Sequence, residues 1–302
     1  MRPTKLLLLA ALGCCVAGLG CDRVNELKDK LLGSSTSGSD INPELEAVRG
    51  LYENGDYPGA LQRISALTQS DPNLAEAYYY RGLCHLATAG EPDVGAPLSM
   101  EEEASLEAFR RALSINPRHA PSNVGIGDLY ARRVPAKSRR GADADPEDPY
   151  VIALGAYEQA VTIDPRLPEA QHRYGLFLQR TGQLEAAEGA FRAAAEAAAV
   201  VPETAPDYYL AYGRFLAGPA DRLDEALDQF ELAQMFRQDD QMIQQEMAIV
   251  HARIGLRHFD KQEYMLAQNA LEIAVPMFTE PSDPTAQKAT ESLNQLRSLR
   301  RR

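Results

Sequence analysis

The chain has 302 residues, 45% of them hydrophobic and 25% charged, with a net charge of −12 and no tryptophan. So negative a surface argues against nucleic acid, whose binding rests on neutralising phosphates, and against adsorption onto anionic lipid headgroups. Aromatic residues make up only 7% of the chain, so small apolar residues, mostly alanine, must do much of the packing, which suits close helix pairs better than a sheet.

At the N-terminus Arg2 and Lys5 precede 16 uncharged residues, Leu6 to Cys21. The run is shorter than the roughly 20 residues needed to cross a bilayer. It has the proportions of a secretory signal, with small residues near a cleavage point, and residues 1–20 are read as a signal peptide. Gly20-Cys21 and Gly13-Cys14 resemble the end of a bacterial lipoprotein signal, in which a cysteine after a small residue is lipidated and becomes the new N-terminus. That family's usual leucine three positions earlier is replaced here by Gly18 and Ala11. Cys21 is the preferred lipid site, because it leaves a polar start at Asp22; Cys14 is the alternative, and would strand the apolar Val16–Leu19 just beyond the lipid. Plain cleavage without a lipid is the third reading. Residues 21–40 follow as a tether, in which the small polar run Gly33–Asp40 cannot bury enough surface to order itself. Of the four cysteines only Cys84 lies beyond residue 21, so no disulfide framework is open to the folded part. Inside an apolar helical pattern, Cys84 reads as a small buried hydrophobe.

From about residue 41 the sequence repeats itself. Gly55-Asp56-Tyr57, Ala60, Asp71-Pro72-Asn73, Tyr78 and Gly82 set a pattern. It recurs as Leu106, Phe109, Ala112 and Pro117, then as Gly127, Tyr130, Ala153, Tyr157, Ala160 and Pro165. Further copies are Tyr174-Gly175, Ala187, Phe191 and Ala194, then Tyr212-Gly213, Ala226, Phe230 and Ala233, and most weakly Ile254-Gly255, Ala267, Leu271 and Ala274. These residues and spacings resemble the anchors of the tetratricopeptide repeat. The resemblance implies an all-α fold, a right-handed α-solenoid of about six helix pairs with a C-terminal capping helix. Its units would lie near 41–74, 75–119, 120–167, 168–205, 206–240 and 248–281, and the cap over 284–302. The anchors have a simple physical sense. Gly82, Gly127, Gly175 and Gly213 remove a side chain where two helices cross, Ala60, Ala153, Ala187 and Ala226 do the same from the partner helix, and Phe109, Tyr157, Phe191 and Phe230 fill the space beside them. Pro72, Pro117 and Pro165 cannot continue the preceding helix.

The second unit carries 11 residues too many and the third 14, in both cases between the two helices of the pair. Equivalent loops of a solenoid project from one edge, so Ala87–Glu103 and Arg132–Tyr150 are expected to be neighbours. Three readings are open. They are solvated loops, inserted at small entropic cost; or an edge on which Arg132, Arg133, Lys137, Arg139 and Arg140 meet an acidic partner; or loops whose basic and acidic halves pair with each other.

No HExxH, zinc-ligand spacing, GxSxG or Walker-type loop is present, so no catalytic residue, metal or cofactor is expected. The resemblance implies that the first helix of each pair lines a concave face. The family's ligand-facing positions fall on Tyr79, Leu83, Val124, Asp128, His172, Leu176, Gln179, Leu210 and Arg214. The Lys and Asn pattern with which some relatives clamp a C-terminal carboxylate is absent. The expected function is a non-catalytic scaffold that holds an extended peptide or a partner's helix in its groove, with no small-molecule substrate and no nucleic acid. The expected location is a bacterial envelope, reached through the N-terminal lipid alone, facing the periplasm, with the outer membrane favoured over the inner. Similar lipoproteins assist the assembly of envelope machines such as type IV pilus secretins, which is the runner-up role. An enzyme or ligand-binding module built on the solenoid is the alternative of another class.

Overall fold

The computed structural model describes residues 42–138, 145–280 and 282–299. Cys14, Cys21, the tether, Arg139 and Arg140 lie outside the described residues. Within them the chain forms thirteen α-helices and no strand. These are α1 (Pro43–Glu53), α2 (Tyr57–Ser70), α3 (Ala75–Thr88), α4 (Met100–Ile115), α5 (Ala120–Ala131), α6 (Pro149–Ile163), α7 (Pro168–Thr181), α8 (Leu184–Ala198), α9 (Ala205–Ala217), α10 (Leu223–Phe236), α11 (Gln241–Asp260), α12 (Tyr264–Met277) and α13 (Pro284–Leu299).

Each helix packs on the next. The first helices of successive pairs, α1, α3, α5, α7, α9 and α11, also touch one another in turn, whereas the second helices share no comparable contact. The stack is therefore closed up on its first-helix side, and that side is the concave one. The core is accordingly a series of clusters along the array, as expected of a solenoid in which each unit meets only its neighbours. At the C-terminal end Ala289, Leu293 and Leu296 of α13 cover Ala252, Ala267, Leu271 and Ala274, while Leu299, of the same apolar spacing, is left exposed.

The repeated sequence anchors become repeated local structures. Phe109, Phe191 and Phe230 are almost fully buried, and the ring of each second-helix aromatic lies directly over a first-helix glycine. An added Cβ would fall 2.5 Å from Phe109 at Gly82, 2.7 Å from Tyr157 at Gly127 and 2.3 Å from Phe230 at Gly213. The ring thus occupies the space that the missing side chain leaves. Phe109 is held from both sides, because Gly125 of the following unit comes equally close, at 2.4 Å.

The helix ends before Pro72, Pro117 and Pro165 share one geometry. Asp71, Asn116 and Asp164 have extended backbone, as a residue before proline must. Each turns its side-chain oxygen to accept, at 3.0 Å, the backbone N–H two residues on. The fifth pair ends without a proline, and Asp240 instead caps α11 by accepting from the N–H groups of Met242 and Ile243. That cap starts the helix at Gln241, ahead of the boundary near 248 read from the weak sixth repeat.

The turns inside the pairs need a left-handed residue. Gly55 and Gly182 supply it with φ of 77° and 83°, but the turn between α11 and α12 places Gln262 there, at φ 62°. A side chain in that region costs about 1–2 kcal/mol, and glycine's greater freedom when unfolded gives back about 0.5–1 kcal/mol of that. Gln262→Gly is expected to raise the urea midpoint slightly; a lowered midpoint would show that the Gln262 side chain contributes more than its backbone strain costs.

Candidate functional site

Two adjoining clefts open on the concave face. The larger, of about 800 Å3, lies between α1, α3, α5 and α7 and takes in Leu83, Asp128, Leu176 and Gln179. The smaller, of about 290 Å3, takes in Tyr79, Leu83, Val124 and Asp128. Both are bordered by Tyr52, Leu83, Asp128 and Arg173, so they form one continuous groove. Six of the nine ligand-facing positions expected from the sequence are thereby brought together. Leu176 is 42% exposed at its floor, whereas Val124 is nearly buried at 3%.

The other three lie elsewhere. Leu210 is buried in the core that joins α7 to α11 and presents nothing to a partner. His172 packs against the rings of Phe191 and Tyr208, and burial pushes its pKa down to about 4, so it is neutral at neutral pH. Arg214 is engaged with Glu246 on the neighbouring first helix, 2.7 Å away.

Several groove residues were not among those positions. Tyr52 comes from α1, and Glu169, Arg173 and Arg180 come from α7. The last three share a helical face with Leu176, at spacings of four, three and four residues, and that periodicity is the signal that could have found them. Arg173 Nε lies 3.5 Å from Asp128 Oδ2, and Tyr157 Oη donates to Asp128 Oδ1 at 2.6 Å. Burial pushes the Asp128 carboxyl up, against the pull of Arg173 and the Tyr157 hydrogen bond. Burial also raises Glu169, with Arg173 opposing and Asp128 adding to the shift. The charge of Asp128 in turn raises the Arg173 guanidinium, which stays protonated. The groove is thus a partly dry, tyrosine-walled channel with fixed charges at its centre.

The two inserted loops meet at one edge of this groove. Arg132 donates to the carbonyls of Leu86, in the last turn of α3, and of Gly90, in the first loop. Arg133 turns inward, only 5% exposed, so it is not available to an acidic partner. Its Nη1 lies 2.8 Å from Glu102 Oε2, and its Nη2 donates to the carbonyls of Asp93, Ala96 and Pro97. Lys137 remains exposed, and its backbone N–H donates to the carbonyl of Arg180. Glu102 is also the third residue of α4 and closes a capping box with Ser99. One half of the acidic triplet's role is therefore local helix capping, and the other is a buried tie to the second loop.

Cys84 is buried, and burial pushes its thiol up to about 11, so it is held in the unreactive protonated form. Among the described residues no three His, Cys, Asp or Glu side chains are placed to hold a metal, and no helix is long and apolar enough to cross a membrane.

A stacked array of helix pairs with a continuous concave groove places the chain in the class of α-solenoids. The tetratricopeptide-repeat family model matches residues 45–98, from α1 into the first inserted loop. The chain is 26% identical over 133 residues to a DnaJ homolog subfamily C member 7 homolog of Dictyostelium discoideum, which covers 43% of this chain and 22% of that protein. It is 24% identical over 136 residues to a TPR repeat-containing protein of Methanocaldococcus jannaschii, covering 37% of this chain and 23% of that one. These matches span less than a quarter of either relative's length. Among solved structures, a thermophilic TPR protein of Thermus thermophilus has a TM-score of 0.52 at 20% identity, covering 69% of this chain and 97% of its own. PilW, a widely conserved type IV pilus biogenesis factor, also has a TM-score of 0.52, at 17% identity, covering 82% and 97%. At these identities the likeness is one of fold. The described chain has the fold of a tetratricopeptide-repeat solenoid.

Proposed function

We propose that the protein is a non-catalytic scaffold, anchored through lipid on Cys21 or, alternatively, Cys14 to a bacterial envelope membrane and facing the periplasm, which holds a segment of a partner protein in its concave groove. The observation that carries the binding reading is the groove itself. It is open, walled by the first helices of four successive pairs, and lined by tyrosine and leucine side chains of α1, α3 and α7, a form suited to an extended peptide or a partner's helix. A narrower role in the assembly of a type IV pilus machine draws on the shared fold with PilW over most of both chains.

Leu83→Glu with Leu176→Glu places two charges on the groove floor without touching the core glycine–aromatic contacts. Crosslinking in envelope fractions is expected to capture a protein with the native chain and to lose it with this double variant. Capture that is indifferent to the variant would move binding away from the groove. For the anchor, labelled palmitate is expected to enter the native chain and to be lost in Cys21→Ala; labelling that survives both Cys21→Ala and Cys14→Ala would overturn it.

A further inference from the structure

Resting on that groove reading, the geometry points to a partner segment that carries a lysine or arginine flanked by apolar residues, with its cationic group seated between Asp128 and Glu169. Both carboxylates border the smaller cleft, with Arg173 beside them. Asp128 is served by Tyr157 at 2.6 Å and by Arg173 at 3.5 Å. Glu169 makes no hydrogen bond among the described residues and meets Arg173 only through space. It borders the smaller cleft together with Tyr52 of α1 and Tyr79 and Tyr80 of α3.

The other cations at the groove are committed. Arg49 is paired with Glu46 and Glu53 on its own helix, at 3.2 and 3.7 Å. The guanidinium of Arg132 donates to the carbonyls of Leu86 and Gly90, and that of Arg180 to the carbonyl of Ala131. Arg180 also pulls on Asp128 from the larger cleft, so it is the smaller cleft, bordered by Glu53, Asp128 and Glu169 against Arg49 and Arg173, that carries an excess of negative charge. A further cation would relieve it, and a further carboxylate would aggravate it. The walls fit the rest of such a residue, because leucine and tyrosine side chains can cover the apolar stem of a lysine or arginine, and tyrosine faces attract cations. Flanking apolar residues would meet Leu83 and Leu176.

The test uses the full-length protein and a library of nonapeptides with lysine, arginine, glutamate or norleucine at the centre of an otherwise random sequence. Peptides centred on lysine or arginine are expected to be recovered about tenfold better than the others, the worth of one charge-assisted contact. Glu169→Gln, which removes no intramolecular hydrogen bond, is expected to abolish that preference while keeping recovery of norleucine-centred peptides, and Asp128→Asn to weaken it. Recovery that ignores the central residue, or a preference untouched by Glu169→Gln, overturns the basic-partner inference. If that recovery is still lost in the Leu83→Glu, Leu176→Glu variant, the groove reading survives it. Recovery of norleucine-centred peptides no better from the native protein than from that blocked variant overturns both.

Discussion

Arg133→Ala is expected to loosen both inserted loops at once, at a cost of about 3–5 kcal/mol, the range for stranding one member of a buried ion pair. The expectation follows from burial. The Arg133 and Glu102 side chains are 4% and 3% exposed and lie 2.8 Å apart. Removing the guanidinium leaves a buried carboxylate uncompensated and also strips donors from three carbonyls of the first loop. Glu102 is not fully satisfied even in the native chain, because its Oε1 is buried with no hydrogen-bond partner. The pair therefore serves to fix the two loops in one arrangement more than to add surplus stability. Replacing both residues, as Glu102→Leu with Arg133→Met, is expected to recover part of the loss, but not all of it, since the three carbonyls remain without Arg133. Because each unit of the array meets only its neighbours, the effect should be local. Hydrogen exchange should quicken in α4 and around residues 89–99 and stay unchanged in α10 to α13. Unchanged exchange at the loops would mean that the tie is dispensable.

Gly213→Ala is the second large effect. Alanine in place of a mid-helix glycine ordinarily stabilises by about 1 kcal/mol. Here the new methyl would meet the ring of Phe230 at 2.3 Å, in a part of the core where Phe230 is wholly buried. Overpacking of this kind costs about 1–3 kcal/mol, so the net change is expected to be destabilising. Gly155 and Gly189 are the internal controls, since a Cβ at either position meets nothing within 4 Å. Gly155→Ala and Gly189→Ala should therefore raise the urea midpoint while Gly213→Ala lowers it. Gly175 stands between these cases, with its added Cβ 3.3 Å from Phe191. A common sign for Gly213→Ala and Gly155→Ala would contradict the account of why the repeat carries glycine at the crossing.

These contrasts mark how far the sequence could be read. The crossing glycines, the aromatic partners and the prolines act through local geometry that recurs in register, so the helix pairs were legible from Gly82, Phe109 and Pro117 and their copies. Gly125 was not, because its contact is with Phe109 of the preceding unit and follows from how units stack. The extended α11 was missed because an Asp240 cap does the work that a proline does in three other units. The groove was legible only as one stripe of family positions. Leu83, Asp128 and Leu176 fell on it, whereas Leu210 was drawn into the core and His172 into a cluster of aromatic rings. The charged centre of Glu169 and Arg173 depends on which face α7 turns toward α5. The loops show the same limit. Their basic residues could be read as solvated, as an external edge or as partners of the other loop's acids, and Arg133 takes the last course, folded inward because Glu102, fixed by its own helix cap, lies within reach.

The claim that a partner occupies the concave groove is tested most directly by placing a photoreactive residue at Leu176, on the groove floor, and at Gln159, exposed on the second-helix side. Irradiation in envelope fractions is predicted to give a discrete protein adduct from position 176 and none from 159; an adduct from 159 with none from 176 would place the binding surface on the opposite face and contradict the account.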